Sequence, residues 1–285
     1  MQNNGTISID GFPLGYQIEG KGAPVLVIGS TVYYPRLFSP AIRESLQLIF
    51  IDHRGFVQPS RALQPADYTL DRIVEDIETM RRSLGLEKFS ILGHSGHAFL
   101  ATEYAIRYSQ SVENVILLNT APTNSDERQA QSFAFFAETA SPERKAVFER
   151  EIALLAGDLE REPERRFAHV CIRMGAHSFF DYSFEGAYLW DGVYTNMPVI
   201  DHLWGDAFAR LNLLDRLSLV NKPVFLGLGA FDYLVGPASL WDDVEQRHPH
   251  VTKVLFTRSG HNPMLEEPEQ FDARIMDWIH QGGFS

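Results

Sequence analysis

Short apolar runs that alternate with amphipathic segments constrain the fold of this chain more than any other feature. The runs at residues 24–28, 48–51 and 115–118 are continuous and rich in β-branched side chains. Such runs are typical of strands that are buried on both faces of a parallel sheet. Between them, the apolar residues of 67–85 recur at the spacing of a helix that ends at Gly85. The alternation predicts right-handed crossovers and a doubly wound, mostly parallel sheet of the α/β class.

The pattern changes after Pro122. From residue 123 to residue 215 the apolar spacing is helical and aromatic residues become frequent, and strand-like runs resume only at 223–228. An all-helical insert in a parallel sheet is typical of a lid over one sheet edge. We therefore expect one α/β core, formed by residues 1–122 and 216–285, and a helical cap, residues 123–215, inserted after the sixth strand.

The segment 88–97 holds the residue with the strongest functional signal, Ser95. An apolar run stops at Gly93, the serine follows two residues later, and a helical pattern begins at once. A serine between a strand and a helix lies on a sharp turn, and the free N–H groups of the helix N-terminus favour developing negative charge. We predict that Ser95 is a nucleophile, although a tight connection without function fits the same pattern. Two residues further on, where G-x-S-x-G has a small residue, this chain has His97.

Two further polar residues follow the later strand-like runs. Asp232 comes after the run 223–228, and His261 comes after the run 253–256. Because ligands of open α/β sheets bind at the carboxyl ends of the strands, we expect both side chains at the same edge as Ser95. A serine hydroxyl needs a base to act as a nucleophile. His261 would take the proton, and Asp232 would orient the ring and stabilise the imidazolium.

These segments resemble the motifs of the α/β-hydrolase superfamily, and the resemblance spans nearly the whole chain. The motifs occur in the family's order as Asp52-His53-Arg54-Gly55, Gly93-His94-Ser95-Gly96-His97, Gly229-Ala230-Phe231-Asp232 and Gly260-His261. The first of them departs from the family's D-x-R-G-x-G-x-S loop, since Val57 replaces the second glycine. The resemblance implies an α/β-hydrolase fold and a catalytic triad of Ser95, Asp232 and His261.

The resemblance also implies an oxyanion hole made by backbone N–H groups. One of them is expected from Gly96, the residue after the nucleophile. The other is expected from the loop after the run 24–28, with Ser30 as the first choice and Thr31 as the second.

The predicted cap is expected to set the choice of substrate. Most of its aromatic residues are expected to pack the cap onto the core, and the others to form an apolar pocket. The residues predicted to contact substrate are Tyr33, Tyr34, Tyr188 and Trp190. We expect neutral, apolar acyl groups to be preferred over anionic ones, because the aromatic residues attract apolar groups and the net charge of −12 adds a weaker, salt-screened repulsion of anions.

Composition excludes several classes of function. The excess of 37 acidic over 25 basic residues argues against nucleic-acid binding. The sequence has no apolar run of about 18 residues, which a membrane helix needs, and no secretory signal. The one cysteine, Cys171, excludes an intramolecular disulfide and indicates a cytoplasmic location. Neither a metal-ligand cluster nor a phosphate-binding glycine loop is found, so we expect a small-molecule substrate, no metal and no cofactor; the oligomeric state is not predicted.

Three functions fit the pattern. The preferred one is hydrolysis of a carboxylic ester or lactone of a small, largely apolar substrate through an acyl-enzyme. The second is an aminopeptidase that resembles prolyl iminopeptidases, in which Glu138, Asp181 or Glu185 would hold the substrate amine. Those enzymes have His-Gly-Gly-Pro-Gly at the oxyanion loop and Gly-Gly-Ser-Trp-Gly at the nucleophile, and this chain has neither. The third is a non-catalytic protein that binds a small molecule on the same fold.

Overall fold

A sheet of eight strands forms the centre of the protein in the computed structural model, which describes residues 3–280. In chain order the strands are β1 (Asn4–Ile9), β2 (Phe12–Gly20), β3 (Ala23–Gly29), β4 (Leu46–Asp52), β5 (Phe89–His94), β6 (Val112–Leu118), β7 (Val224–Gly229) and β8 (Val251–Phe256). Their order across the sheet is β1-β2-β4-β3-β5-β6-β7-β8. β2 is antiparallel to both β1 and β4, and all other neighbours are parallel.

Helices cover both faces of the sheet and fill the segment between β6 and β7. The first two are α1 (Leu70–Ser83) and α2 (His97–Arg107). Between β6 and β7 lie α3 (Asp126–Thr139), α4 (Pro142–Ile152), α5 (Leu155–Arg161), α6 (Arg166–Arg173), α7 (Gly175–Ser178), α8 (Met197–His202) and α9 (Leu213–Leu217), which we call the cap helices. The last three are α10 (Val244–Arg247), α11 (Pro263–Glu266) and α12 (Pro268–His280). Within residues 3–280, none of these helices is long and apolar enough to cross a membrane.

Alternate residues of the central strands pack on opposite faces of the sheet. In β3, Leu26 and Ile28 belong to the apolar cluster that includes residues of α1 and α2. Val25 and Val27 belong to the cluster that includes residues of α12. This burial on both faces explains why the strand runs in the sequence are continuous rather than alternating.

The predicted doubly wound sheet, with helices inserted after the sixth strand, is confirmed. The exact boundaries of a separate cap stay a prediction. The segment 238–247 after β7 is not one continuous helix. A 3₁₀ turn, Ala238–Trp241, and the short α10 are separated by Asp243, whose φ of 61° lies in the left-handed region and interrupts the helix.

Candidate active site

Ser95 lies in the turn between β5 and α2. Its φ is 58°, a left-handed conformation that a non-glycine residue keeps only when its surroundings hold it there. The Ser95 amide donates to the carbonyl oxygen of Leu118 at the end of β6 over 2.8 Å. The Ser95 carbonyl oxygen accepts a hydrogen bond of 3.1 Å from the amide of Ala98 in α2. The turn is therefore fixed from both sides, and Ser95 lines a cavity of about 640 Å³.

Gly93 permits the sharp bend of this turn. A Cβ atom at Gly93 would lie 2.3 Å from the carbonyl oxygen of His97, which is closer than van der Waals contact allows. Strand β5 and the start of α2 can therefore approach each other only when residue 93 has no side chain. This close approach explains the first glycine of the motif.

His261 and Asp232 form a hydrogen-bonded pair beside the cavity. His261 Nδ1 lies 2.7 Å from Asp232 Oδ2. Because an ionised carboxylate only accepts hydrogen bonds, the pair places the proton of a neutral His261 on Nδ1 and leaves Nε2 as an acceptor. The Asp232 side chain is only 2% exposed, and the amides of Leu234 and Val235 donate to its Oδ1. The carboxylate is thus held in place while it orients the ring.

The structure brings Ser95 and His261 to the same cavity. No hydrogen bond joins their two side chains in the structure of residues 3–280. Catalytic hydrogen bonds of unliganded enzymes are often long and shorten only when substrate binds, so this geometry is compatible with proton transfer between them.

Asn119 is a residue of this site that the sequence analysis missed. Its Nδ2 donates to Asp232 Oδ2 and to the carbonyl oxygen of Gly260, both over 2.8 Å. Asn119 therefore connects the acid to the loop that carries His261. The available signal was its position directly after β6, at the carboxyl edge of the sheet.

A carboxylate also holds the loop of His261. The side chain of Glu266 accepts hydrogen bonds from the amides of Gly260 and Asn262, which flank His261, and from the amide of Phe180 in the segment between β6 and β7. Burial raises the pKa of Glu266 to about 6. Glu266 therefore connects the loop of His261 to the segment between β6 and β7.

A chain of buried, hydrogen-bonded side chains starts in the loop after β4. The Gly55 amide donates to His53 Nδ1 over 3.0 Å, so this nitrogen carries no proton and the proton of the neutral ring is on Nε2. His53 Nε2 donates to His97 Nε2 over 3.0 Å, which places the proton of His97 on Nδ1. His97 Nδ1 in turn donates to the Tyr34 hydroxyl over 2.8 Å. Each contact fixes the tautomer of the next ring.

The last hydrogen bond of this series reaches the backbone of His261. Because the Tyr34 oxygen accepts from His97, its hydroxyl donates to His94 Nδ1 over 3.3 Å. His94 Nε2 therefore carries the proton and donates to the carbonyl oxygen of His261 over 2.7 Å. Burial lowers the pKa of His53 to about 3 and the pKa of His94 and His97 well below the usual range, which keeps all three rings neutral. The nucleophile turn is thus connected to the loop of the predicted base.

The two predicted oxyanion donors differ in their placement. Gly96 lines the cavity next to Ser95. Ser30 is buried and does not line the cavity, and its hydroxyl accepts hydrogen bonds from the amides of Val32 and Tyr33. The alternative, Thr31, donates its amide to Asp52 over 2.7 Å and is not free for a substrate. The Ser30 amide therefore stays a prediction.

Three of the four predicted substrate contacts line the cavity: Tyr33, Tyr34 and Trp190. The rings of Tyr33 and Trp190 lie 4.6 Å apart and form one wall. The structure does not bring Tyr188 to the cavity, because the 3₁₀ turn Gly186–Trp190 directs Trp190 inwards and leaves Tyr188 48% exposed. The sequence could not separate these two neighbours.

The cavity is large, aromatic and free of acidic side chains. Its volume is about 640 Å³, which is the size of a small-molecule site. Aromatic rings from the core and from the segment between β6 and β7 contribute to its wall, among them Phe56, Phe99, Phe133, Phe167, Phe179 and Trp204. The charged residues that line it in the described part of the chain are two arginines, Arg128 and Arg166, and no Asp or Glu is among the lining residues.

Comparison with known proteins gives a consistent result. A family model described as the alpha/beta hydrolase fold matches residues 23–268. The chain is 57% identical over 281 residues to the AB hydrolase superfamily protein YclE of Bacillus subtilis, which covers 99% of this chain and 100% of that protein.

Two solved structures are similar in fold. The proline iminopeptidase of Mycobacterium smegmatis has a TM-score of 0.72 and 18% identity, with 98% of each chain covered. A thermophilic esterase from Thermogutta terrifontis has a TM-score of 0.68 and 21% identity, with 98% of this chain and 97% of that chain covered. At these identities the likeness concerns the fold alone.

Proposed function

Because this chain belongs to the α/β-hydrolase fold family, we propose that it is a serine hydrolase that cleaves a carboxylic ester or lactone through an acyl-enzyme. The observation that supports this most directly is the placement of Ser95. A serine in a left-handed turn at the start of a helix and the His261–Asp232 pair meet at one aromatic cavity.

The proposed reaction has two steps. Ser95 Oγ attacks the substrate carbonyl carbon and gives its proton to His261 Nε2, and the resulting imidazolium is stabilised by Asp232. When the tetrahedral intermediate collapses, the alcohol leaves with the proton from His261, and the acyl group stays on Ser95. A water molecule then repeats the sequence and releases the acid. The N–H groups of Gly96 and Ser30 are the proposed donors to the oxyanion.

The cavity wall supports an apolar acyl or alcohol group. Burial of apolar surface contributes about 25 cal/mol per Å², or about 0.8 kcal/mol for each methylene. We therefore expect kcat/KM to rise by at most about fourfold for each added methylene until the cavity is full. The single cysteine, Cys171, supports a cytoplasmic location as part of the same proposal.

An aminopeptidase is the second candidate, because curated relatives include proline iminopeptidases, one of which is 23% identical over 98% of this chain. Such an enzyme must hold a protonated amine. The acids considered for that role, Glu138, Asp181 and Glu185, do not line the cavity, and both charged lining residues are cations. A substrate ammonium would meet like charge without a partner, which favours the ester over the aminoacyl substrate.

A panel of p-nitrophenyl esters and aminoacyl arylamides tests this proposal. We expect turnover of the esters and none of the arylamides. Faster turnover of the arylamides would favour the aminopeptidase. If neither the esters nor the arylamides are turned over and a ligand still binds, a non-catalytic binding protein would be favoured.

A fluorophosphonate probe tests the assigned nucleophile. Ser95→Ala is expected to abolish labelling and to lower kcat by about 10³-fold or more, since triad members act as a unit. Ser178→Ala is a matched control, because Ser178 also lines the cavity but donates its hydroxyl to the Met174 carbonyl oxygen. Undiminished labelling of Ser95→Ala would place the nucleophile elsewhere.

A further inference from the structure

Arg128 is a buried cation at the cavity wall. It lies in the first turn of α3, is only 8% exposed and lines the same cavity as Ser95. Its guanidinium donates to the carbonyl oxygens of Thr123 and Leu234 and to the side-chain oxygens of Ser132 and Asn124. All of these acceptors are neutral.

No carboxylate of residues 3–280 forms an ion pair with Arg128. Asp232 acts on Arg128 electrostatically and opposes the lowering of the Arg128 pKa by burial. Asp232 already accepts hydrogen bonds from His261 and Asn119. Because arginine keeps its proton in proteins, Arg128 is a buried cation, and the described chain gives it no carboxylate as a direct hydrogen-bond partner.

One N–H group of the Arg128 guanidinium has no hydrogen-bond partner among the described residues. Arginine has five N–H groups, and the four hydrogen bonds of Arg128 use the one on Nε, both on Nη1 and one on Nη2. Gln129, the next residue of α3, also lines the cavity and carries a neutral amide. A cation, a free N–H and an amide at one wall are suited to an anionic oxygen.

We propose that the cavity binds a substrate that carries a carboxylate, and that Arg128 is the residue that recognises it. This deepens the proposed ester hydrolase and rests on it. The substrate is then an ester with an apolar body, whose ester carbonyl reaches Ser95 while its carboxylate reaches Arg128.

This proposal reverses the preference for neutral groups that the net charge of −12 suggests. Surface charges act on a ligand through water and salt, over a screening length of about 8 Å at physiological ionic strength. Arg128, by contrast, is at the wall of a partly enclosed aromatic cavity, and no Asp or Glu is among the residues of 3–280 that line it. A direct contact there outweighs the screened surface field.

A purely structural role for Arg128 is the alternative. Arg144 has such a role: it is also buried and donates to the carbonyl oxygens of Ala176, Phe179 and Phe180, but it does not line the cavity. The two arginines therefore differ in access to a ligand in the cavity.

Monoethyl esters of linear dicarboxylic acids, from glutarate to suberate, are the probes, each paired with an uncharged ester in which an isopropyl group replaces the carboxylate. We expect the wild type to prefer the anionic ester at one or more chain lengths. Arg128→Gln should lower the ratio of kcat/KM for the anionic to the neutral ester by about tenfold to a hundredfold, the range of a lost charged hydrogen bond.

Arg166→Gln is the matched control. Arg166 also lines the cavity, but it is half-exposed and paired with Asp201, so its loss should change the ratio by less than about twofold. Equal ratios in wild type and Arg128→Gln would overturn the proposal. A wild type that prefers the neutral ester at every chain length would also overturn the proposal. This outcome does not depend on the folding of any variant.

Binding without turnover separates this proposal from the proposed reaction. In the Ser95→Ala background, titration calorimetry with monoethyl adipate measures affinity alone. Weaker binding after Arg128→Gln, with Arg128→Lys in between, would support the anion site even if no ester is hydrolysed. Binding of equal strength in all three would overturn it, whether or not the esters turn over.

Discussion

Two arginines are buried in this protein to nearly the same depth, yet their surroundings are opposite. Arg54, in the loop after β4, donates from Nε to Asp76 over 2.5 Å and from Nη1 to Asp67 over 3.2 Å, and its guanidinium lies 4.2 Å from the ring centre of Phe12. Arg128 donates only to neutral oxygens.

The two arginines differ in whether the chain supplies a directly bonded counter-charge. A buried charge is costly unless it is paired, and the acids beside Arg54 supply the pairing within the chain. Arg128 lacks that partner but faces a cavity, so its counter-charge can come from a ligand. We infer that the first arginine serves the fold and that the second serves binding.

The largest effect is expected from Arg54→Met. Removal of the cation leaves the carboxylate of Asp76 buried without its partner, whereas Asp67 keeps its ion pair with Arg61, and the stranded charge costs about 3–5 kcal/mol of the free energy of unfolding. Urea denaturation measures this loss. The double variant Arg54→Met/Asp76→Leu should recover part of it, because it also removes one stranded charge. A loss below about 1 kcal/mol in the single variant would contradict the structural role of Arg54.

Arg128→Met is expected to have a smaller effect on stability. It removes the donor to the Thr123 carbonyl oxygen and one of the two donors to the Leu234 carbonyl oxygen, which keeps the Ser132 hydroxyl, and it strands no charge, so the expected loss is about 1–3 kcal/mol. The same denaturation experiment gives the value. A loss as large as that of Arg54→Met would indicate that Arg128 is chiefly structural.

The buried histidines differ from both arginines in their protonation. A buried histidine without an acid partner can give up its proton, whereas an arginine cannot. The pKa of His97 is lowered in the folded state, so below pH 6.5 the unfolded state binds a proton that the folded state does not. Stability should therefore fall as the pH falls below 6.5, by about 1.4 kcal/mol per pH unit for this one group.

His97→Gln should make this decline shallower by that amount. The measurement is the free energy of unfolding of wild type and variant between pH 6.5 and 4.5. The difference between the two removes the opposite contribution of Glu266, whose pKa of about 6 favours the folded state as the pH falls. Parallel curves would show that His97 titrates alike in the folded and unfolded states.

Much of this site could be predicted from the sequence, for a physical reason. Ser95, Asp232 and His261 each follow a strand run, and parallel strands bring their carboxyl ends to one edge, so local patterns sufficed to place them together. The sharp bend before Ser95 also left a local signal, because the close approach of β5 and α2 requires a glycine at position 93.

Other contacts depend on long-range packing and left no local signal. The link from His53 to His97 joins residues 44 positions apart, and the link from Tyr34 to His97 joins residues 63 apart. Arg128 lies in an ordinary helix start, and only the folded cavity shows that no acid faces it. Tyr188 differs from Trp190 only in the direction that a short 3₁₀ turn gives it.

The central claim, that Ser95 attacks the substrate, is tested most directly by a carbamate trap. An aryl carbamate acylates a serine nucleophile to give an adduct that hydrolyses slowly, and peptide mapping by mass spectrometry locates it. We expect a carbamoyl group on the peptide that contains Ser95, formed much more slowly in His261→Ala and absent in Ser95→Ala. Ester turnover with the carbamoyl group on another residue, or with equal labelling of Ser95→Ala, would contradict it.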